Sequence, residues 1–336
     1  MNRVLIENSG HTFEVRPSQT VLEAAIEAGI NMPYGCRNGA CGACKGKVLT
    51  GKVFHDDYQG SAMSDEELAS GQALFCCARA LEDLVIECRQ IDMVQGIKPR
   101  ILPVRVQKKE QLTDDVMVLH LQLPATEPLT FMAGQYLEFL LKDGRRRAFS
   151  IANAPHEAGF IELHIRKIAG GQFTEQVFSE MPLKTILRVE APLGSFFLRE
   201  QNEKPIIMVA GGTGFAPIKG MIEHMIYQGI RRPLLLYRGA RQVTDLYMDE
   251  LCRRWAEFMP NITYIPVISE SEADDGWQGR RGLVHQAVLE DHADLSGFEV
   301  YICGAPGMVD IAKETFIAQG LPEEEFYSDA FTFAPK

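Results

Sequence analysis

Cys36, Cys41 and Cys44, followed at a distance by Cys76, stand in a C-x4-C-x2-C spacing with a remote fourth thiol. Plant-type [2Fe-2S] centres use thiolates spaced in this way, so the chemistry on offer is one-electron transfer. Gly35, Gly39 and Gly42 interrupt the same loop, which lets backbone N–H groups approach inorganic sulfide. Four thiolates can also hold zinc. Structural zinc sites usually pair their ligands in CxxC-like units, however, whereas here three ligands share residues 36–44, and this favours iron and sulfide. Cys77 beside Cys76 leaves the fourth ligand ambiguous. The strand-like run Ala73 to Ala80 predicts that one of the two faces the cluster and the other the core.

A second chemistry-bearing segment lies far downstream. Pro205 to Ala210 is an apolar strand running into Gly211-Gly212-Thr213-Gly214 and then into an amphipathic helix from about Ala216 to Tyr227. Small residues let a phosphate-bearing ligand approach the backbone, and a helix N-terminus offers it unpaired N–H groups. The run is not G-x-G-x-x-G, so on spacing alone a nucleotide site and an ordinary tight connection both remain open.

These segments need several domains to hold them, and 336 residues suit two or three. Forty-five acidic against 34 basic residues give a formal charge of -11, which excludes the basic footprint of a nucleic-acid binder. The acidity suits transient electrostatic docking on a basic acceptor protein, beside the plainer reading that it keeps the chain soluble. Asp56, Asp57, Asp65, Glu66 and Glu67 are the candidate docking acids, or a solvated loop and helix start. No secretory h-region follows Met1 and no run of 18 apolar residues occurs, so neither export nor a membrane span is expected. Eight cysteines, four of them committed to metal, point to a reducing cytoplasmic compartment.

Residues 1–92 read as a small α+β domain. Val4 to Ile6 and Thr12 to Val15 are strands, Ser18 or Thr20 caps a helix through Ala28, and Val48 to Val53 is a strand, a turn and a strand. Ser64 opens a capping box with Glu67, and Leu84 to Ile86 is the closing strand. Ile91 to Pro103, with Gly96, Pro99 and Pro103, marks a linker, placed at 93–100. Residues 101–202 carry short alternating strands at 101–106, 116–121, 136–139, 160–165 and 187–189, the pattern of a β-barrel. Residues 203–336 alternate buried strands (205–210, 233–237, 262–267, 300–303) with helices (216–227, 246–258, 283–290, 308–319), which predicts a mostly parallel α/β sheet.

Four further segments sharpen the picture: Arg147-Ala148-Phe149-Ser150, Gly171-Gln172-Phe173-Thr174, Gly211-Gly212-Thr213-Gly214-Phe215-Ala216-Pro217 and Cys303-Gly304-Ala305-Pro306-Gly307-Met308. With the cysteine loop ahead of them, they resemble the NADH-dependent, ferredoxin reductase-type electron-transfer family. That family includes the reductase components of bacterial ring-hydroxylating dioxygenases and multicomponent monooxygenases, and the chain is also similar to CDP-6-deoxy-glucoseen reductase. The resemblance covers nearly the whole chain and implies a plant-type ferredoxin β-grasp domain, a flavin-binding β-barrel and a parallel α/β nicotinamide-binding domain.

What the resemblance implies for single residues is specific. Cys36, Cys41, Cys44 and Cys76 hold the [2Fe-2S] cluster. Arg147 holds the flavin pyrophosphate, Phe149 stands where tyrosine is commoner and packs on the flavin, and Ser150 bonds near its N5. His164, Ile165 and Arg166 flank the adenosine side of FAD, and Gly171, Gln172 and Thr174 meet its pyrophosphate. Gly212, Thr213 and Gly214 form the nicotinamide loop, with Cys303 and Gly304 beside the reacting carbon. A buried apolar cysteine ending a strand is the bland alternative for Cys303. Tyr237-Arg238-Gly239-Ala240-Arg241 lies at the adenosine half of the dinucleotide, with Arg241 the candidate contact. The acidic Asp245 and Asp249 nearby disfavour a 2′-phosphate, so NADH is expected over NADPH. Phe331, within Tyr327 to Phe333, covers the flavin until nicotinamide displaces it, or is an apolar tail on a domain interface. Ser150, Cys303 and Phe331 are the catalytic candidates.

The expected activity is transfer of a hydride from NADH to FAD, with single electrons then passing through the cluster to a terminal oxygenase or hydroxylase, or to another redox acceptor such as a sugar dehydratase. A free-standing flavin or ferric reductase competes as an enzyme reading and a redox sensor as a non-enzymatic one. The attached cysteine domain argues against the first, and the nicotinamide motifs against the second.

Overall fold

The computed structural model describes residues 1–89, 97–157, 159–270 and 276–332. The expected linker at 93–100 is therefore described only from 97 onward, and Gly96 and Phe333 lie outside the described residues. The chain forms two compact units, one built on Met1–Arg100 and the other on Ile101–Ala191 and Phe196–Phe331.

The first unit runs β1 (Asn2–Ile6), β2 (Thr12–Val15), α1 (Val21–Ala28), β3 (Lys45–Thr50), β4 (Val53–His55), α2 (Asp65–Ala69), β5 (Gln72–Leu74), β6 (Ala78–Ala80) and β7 (Leu84–Glu87). Its five-stranded sheet has the order β2-β1-β7-β3-β5, with β4 and β6 paired separately. Among the described residues of this unit only β1 and β7 pair in parallel. The predicted closing strand, β7, is thus the centre of the sheet, and β3 and β4 do not pair with each other. Helix α1 forms where its caps place it: Thr20 and Glu23 exchange capping-box bonds, and Gly29 ends the helix in the left-handed conformation. Val21, Leu22, Ala24 and Ala25 are its buried face. Ser64 and Glu67 start α2 in the same way.

One local expectation is corrected. Ala73 to Ala80 is not a continuous strand: β5 ends at Leu74, the chain turns through 75–77, and β6 starts at Ala78. The Cys77 N–H donates to the Leu74 carbonyl across this turn, and the Phe75 N–H donates to the Cys44 carbonyl. Strand alternation therefore does not separate Cys76 from Cys77.

The second unit begins with β8 (Arg100–Gln111), β9 (Val116–Gln122), β10 (Tyr136–Leu140), β11 (Arg146–Ser150), β12 (Phe160–Arg166), α3 (Gln172–Ser179) and β13 (Ile186–Leu193). The strands are ordered β11-β10-β13-β8-β9-β12, and a bridge between Ile151 and Leu163 brings the two ends of the sheet together as a barrel. Leu102, Val104, Leu119, Leu137, Phe139, Leu163 and Phe173 fill its interior.

A second sheet follows, with β14 (Ile206–Gly211), α4 (Phe215–Gln228), β15 (Leu234–Ala240), α5 (Asp249–Phe258), β16 (Ile262–Ile268), β17 (Arg280–Arg281), α6 (Val284–Asp291), β18 (Glu299–Gly304), α7 (Pro306–Ala318) and β19 (Phe326–Ala330). Its order is β17-β16-β15-β14-β18-β19 and every pairing is parallel. Apolar clusters cover both faces, which is why β14 and β18 read as unbroken apolar runs.

Barrel and sheet are joined by buried charge. Lys219 of α4 reaches Glu162 of β12 at 3.1 Å, Glu223 at 2.8 Å and the Ala152 carbonyl at 3.3 Å. His164 Nε2 donates to Glu162 at 2.9 Å, because a carboxylate can only accept, and its Nδ1 accepts from the Tyr247 hydroxyl at 3.0 Å. Burial pushes the Glu162 carboxyl up, but the His164 bond and the Lys219 charge overcome it and hold the group at about 2. Burial keeps His164 below its ordinary value, hence neutral.

Candidate functional site

The four spaced thiols arrive as two pairs. The Cys41 thiol bonds to Cys36, drawing the Cys36 thiol down to about 6 against its burial, with help from N–H groups of Asn38, Ala40 and Cys41. The same bond and its own burial push Cys41 well up. Backbone donors surround the sulfurs: the Cys36 N–H lies 3.4 Å from Cys41 Sγ, the Ala40 N–H 3.3 Å from Cys36 Sγ, and the Cys76 N–H 3.4 Å from Cys44 Sγ. A hydrogen bond with Cys44 is the largest influence raising Cys76, which makes Cys44 and Cys76 the second pair. Among the described residues no three His, Cys, Asp or Glu side chains converge on one metal position. Two thiol pairs with inward N–H groups fit two bridged irons better than one tetrahedral zinc.

Of the proposed docking acids, two are committed within the fold. Asp56 is held below its ordinary value by Arg79, 2.7 Å away, and Glu67 by Lys45, 2.6 Å away, as well as by the α2 cap.

In the barrel, three consecutive arginines divide their roles. Arg145 pairs with Asp143 and donates to Gln172 at 2.5 Å, and Arg146 pairs with Glu138 and Glu190. Among the described residues Arg147 has no carboxylate partner and donates only to the Arg146 carbonyl. Phe149 sits on the same strand face as Arg147, packs against Phe139 and Phe173 and stays partly open. The first turn of α3 carries no side-chain cap: Gly171 is its N-cap, and the Thr174 hydroxyl donates to the Gly171 carbonyl and accepts from the Ile168 N–H. Its exposed amides and the uncommitted Arg147 suit a pyrophosphate. Of the β12 residues, the His164 side chain is engaged in the interior network and the Ile165 side chain is in the barrel core. Only Arg166 reaches out, its Nε 3.1 Å from Asp115.

The glycine loop and the cysteine strand end meet closely. A Cβ on Gly214 would lie 2.1 Å from the Cys303 carbonyl oxygen, and one on Gly212 would lie 2.8 Å from Arg166 Nη1, so neither position admits a side chain without displacement. Cys303 is fully buried, and burial pushes its thiol well up, so it stays a neutral thiol. The Phe331 N–H donates to the Gly304 carbonyl at 2.8 Å, and its ring packs partly on the adjacent core. Arg241 is largely exposed, 3.9 Å from Asp245.

Two residues that the sequence placed only within longer segments, Asp329 in the 327–333 tail and Arg238 in the 237–241 run, take individual positions here. Asp329 of β19 pairs in register with Cys303, and its Oδ2 lies 3.3 Å from Ser150 Oγ and 4.0 Å from Cys303 Sγ. Three predicted or motif-borne segments thus converge on one carboxylate. Arg238, on β15 beside Ala210, is 2% exposed and stacks 4.0 Å over Phe215, the first residue of α4. Among the described residues it has no carboxylate within ion-pair distance, and its Nη1 contacts only Cys252 Sγ at 3.6 Å. A buried cation beside an uncapped helix N-terminus favours an anion at the sheet's C-terminal edge.

Comparison with known proteins agrees with this geometry. Residues 4–81 match the 2Fe-2S iron-sulfur cluster binding domain, 103–198 the oxidoreductase FAD-binding domain and 208–314 the oxidoreductase NAD-binding domain. The chain is 40% identical over 328 residues to the CDP-6-deoxy-L-threo-D-glycero-4-hexulose-3-dehydrase reductase of Yersinia pestis, covering 98% of each chain. It is 33% identical over 334 residues to terephthalate 1,2-dioxygenase reductase component 2 of Comamonas sp, covering 99% of this chain and 98% of the relative. The solved structure of the Amycolatopsis cytochrome P450 reductase GcoB superposes with a TM-score of 0.84 at 32% identity, covering 99% of both chains. Thiol pairs, flavin barrel and nicotinamide sheet on one polypeptide, with relatives matching end to end, make this chain a member of the ferredoxin reductase-type family of NAD(P)H-dependent electron-transfer oxidoreductases.

Proposed function

We propose that the chain is the reductase component of a multiprotein oxidation system, drawing electron pairs from NADH and delivering them singly to a terminal oxygenase or hydroxylase that docks transiently. The observation that carries this reading is the presence of the paired thiols on the same chain as the flavin and nicotinamide domains. The working division is 1–92 for the cluster domain, 93–100 for the linker, 101–202 for the flavin barrel and 203–336 for the nicotinamide domain. When bound, FAD supplies hydride acceptance and single-electron release, and the iron-sulfur centre carries one electron at a time.

The protein's part is to hold, orient and exclude water. Arg147 and the open first turn of α3 would bind the FAD pyrophosphate, with Phe149 along its rings. The 212–214 turn and Gly304 leave room for the nicotinamide, and Cys303 adds a small, uncharged wall. Oxidising NADH with one-electron acceptors releases one proton per hydride, and that proton must leave a buried site. Ser150 Oγ and Asp329 Oδ2 form the route: the hydroxyl is buried and the partly exposed carboxylate beside it leads toward solvent. The expected preference for NADH over NADPH rests on Asp245 beside Arg241.

A second acceptor is supported by the identity figures, 40% to the dehydrase reductase of Yersinia pestis against 33% to terephthalate 1,2-dioxygenase reductase component 2. The deciding experiment measures NADH-driven and NADPH-driven turnover with purified terminal oxygenases, diiron hydroxylases and a CDP-hexulose dehydrase as alternative acceptors. Turnover with an oxygenase or hydroxylase supports the first reading, and turnover with the dehydrase alone replaces it. Turnover with none of these acceptors, alongside reduction of free flavin or ferric ion that does not depend on iron and sulfide, would refute both. None of the eight cysteines is joined in a disulfide, which supports a reducing, cytoplasmic setting. Among the described residues no helix is long and apolar enough to cross a membrane.

A further inference from the structure

Cys77 lies outside the four-thiol spacing, yet the turn at 75–77 places its Sγ 3.6 Å from Cys76 Sγ. The residue is 4% exposed, and its sulfur also lies 3.8 Å from the Asp57 carbonyl oxygen. The cluster loop makes room for it: a Cβ on Gly39, which adopts a φ of +72°, would sit 2.7 Å from Cys77 Sγ. Once Cys76 binds iron as a thiolate, Cys77 holds the only proton of the pair. Among the described residues that proton has two acceptors, a neutral carbonyl at 3.8 Å and, with iron bound, the negatively charged sulfur at 3.6 Å. The charge-assisted bond is the stronger.

We propose that Cys77 is a positioning residue whose thiol donates a hydrogen bond to the iron-bound sulfur of Cys76, drawing charge from that ligand and favouring the reduced centre. The proposal rests on the [2Fe-2S] reading of the four thiols. It follows from the general dependence of cluster potentials on hydrogen bonds to the sulfurs, here supplied by a side chain that the ligand spacing does not include.

The test uses the full-length protein, purified anaerobically, as wild type, Cys77→Ser and Cys77→Ala. Iron and labile sulfide are assayed first, and the centre is then titrated against redox dyes with detection by electron paramagnetic resonance. Serine keeps a donor and alanine does not. Expected are equal iron and sulfide in all three, a reduced-to-oxidised ratio near wild type in the serine variant, and a ratio about threefold to tenfold lower at the same potential in the alanine variant. Equal shifts in both variants would leave Cys77 a packing residue only and overturn the proposal, as would no shift in either. Loss of the centre in Cys77→Ala, with a native spectrum in Cys76→Ser, would make Cys77 the ligand and likewise overturn it. A wild-type protein without iron and sulfide would refute the cluster reading itself, a result the assay separates from the others.

Discussion

Replacing Lys219 with methionine removes the ammonium that links a buried carboxylate, Glu162, to a partly exposed one, Glu223, while keeping most of the side chain's volume. Glu162 loses a cation at 3.1 Å but retains the His164 bond, whereas Glu223 loses its partner at 2.8 Å. Breaking a buried pair on one side typically costs about 3–5 kcal/mol, and the surviving His164 contact argues for the lower end, about 3 kcal/mol at pH 8. For a unit of this size that is a fall of about 6–12 °C in melting temperature. The loss is pH-dependent. Burial already raises Glu223 above its ordinary value, against the pull of Lys219, so without the ammonium it takes up a proton readily and the cost at pH 5 drops to about 1–2 kcal/mol. Wild type behaves in the opposite sense. His164 is held below 6.5, so the unfolded chain binds a proton that the folded chain does not, and stability falls as the pH drops below about 6.5. Glu162, held at about 2, adds stability that is complete above 4.5 and lost as the pH falls towards 2. The assay is urea unfolding at pH 8 and pH 5, followed by fluorescence of Trp255, which is buried in the same core. A variant within about 0.5 kcal/mol of wild type, or equally destabilised at both pH values, would refute the reasoning.

Three further outcomes are expected. Arg147→Ala weakens FAD binding about 30-fold to 100-fold, seen as flavin lost on gel filtration, while iron and sulfide per chain stay unchanged. Asp329→Asn slows steady-state turnover with one-electron acceptors about tenfold, but leaves the first reduction of flavin by NADH in a stopped-flow mixing experiment near the wild-type rate. Arg238→Met raises the dissociation constant of ADP-ribose about fivefold and flattens its salt dependence, with adenosine binding unchanged. Equal weakening of both ligands would assign Arg238 to packing alone.

Local chemistry made much of this molecule readable. The α1 helix was legible because Thr20, Glu23 and Gly29 are caps with their own geometry, and the parallel sheet because strands buried on both faces leave unbroken apolar runs. The thiol loop was legible because its ligands lie close together in sequence. What escaped depended on distant partners. Phe75-Cys76-Cys77 has the composition of a strand, and it turns because Phe75 bonds to Cys44 and Leu22, contacts that no local pattern carries. His164 has the alternation of a barrel strand, and its role was set by Tyr247 and by a helix that follows much later in the chain. Asp329 stood out only through its pairing with Cys303, and Arg238 within its run only through its burial against Phe215 with no acid beside it among the described residues.

The ladder between β18 and β19 aligns Cys303 with Asp329 and Gly304 with Ala330. Because side chains alternate along a strand, a slip of one residue would swing the carboxylate to the opposite face and leave Ser150 without its neighbour. A single residue inserted or deleted within 326–330 is therefore expected to cost turnover, a loss that a scan of one-residue indels along β19 would read directly.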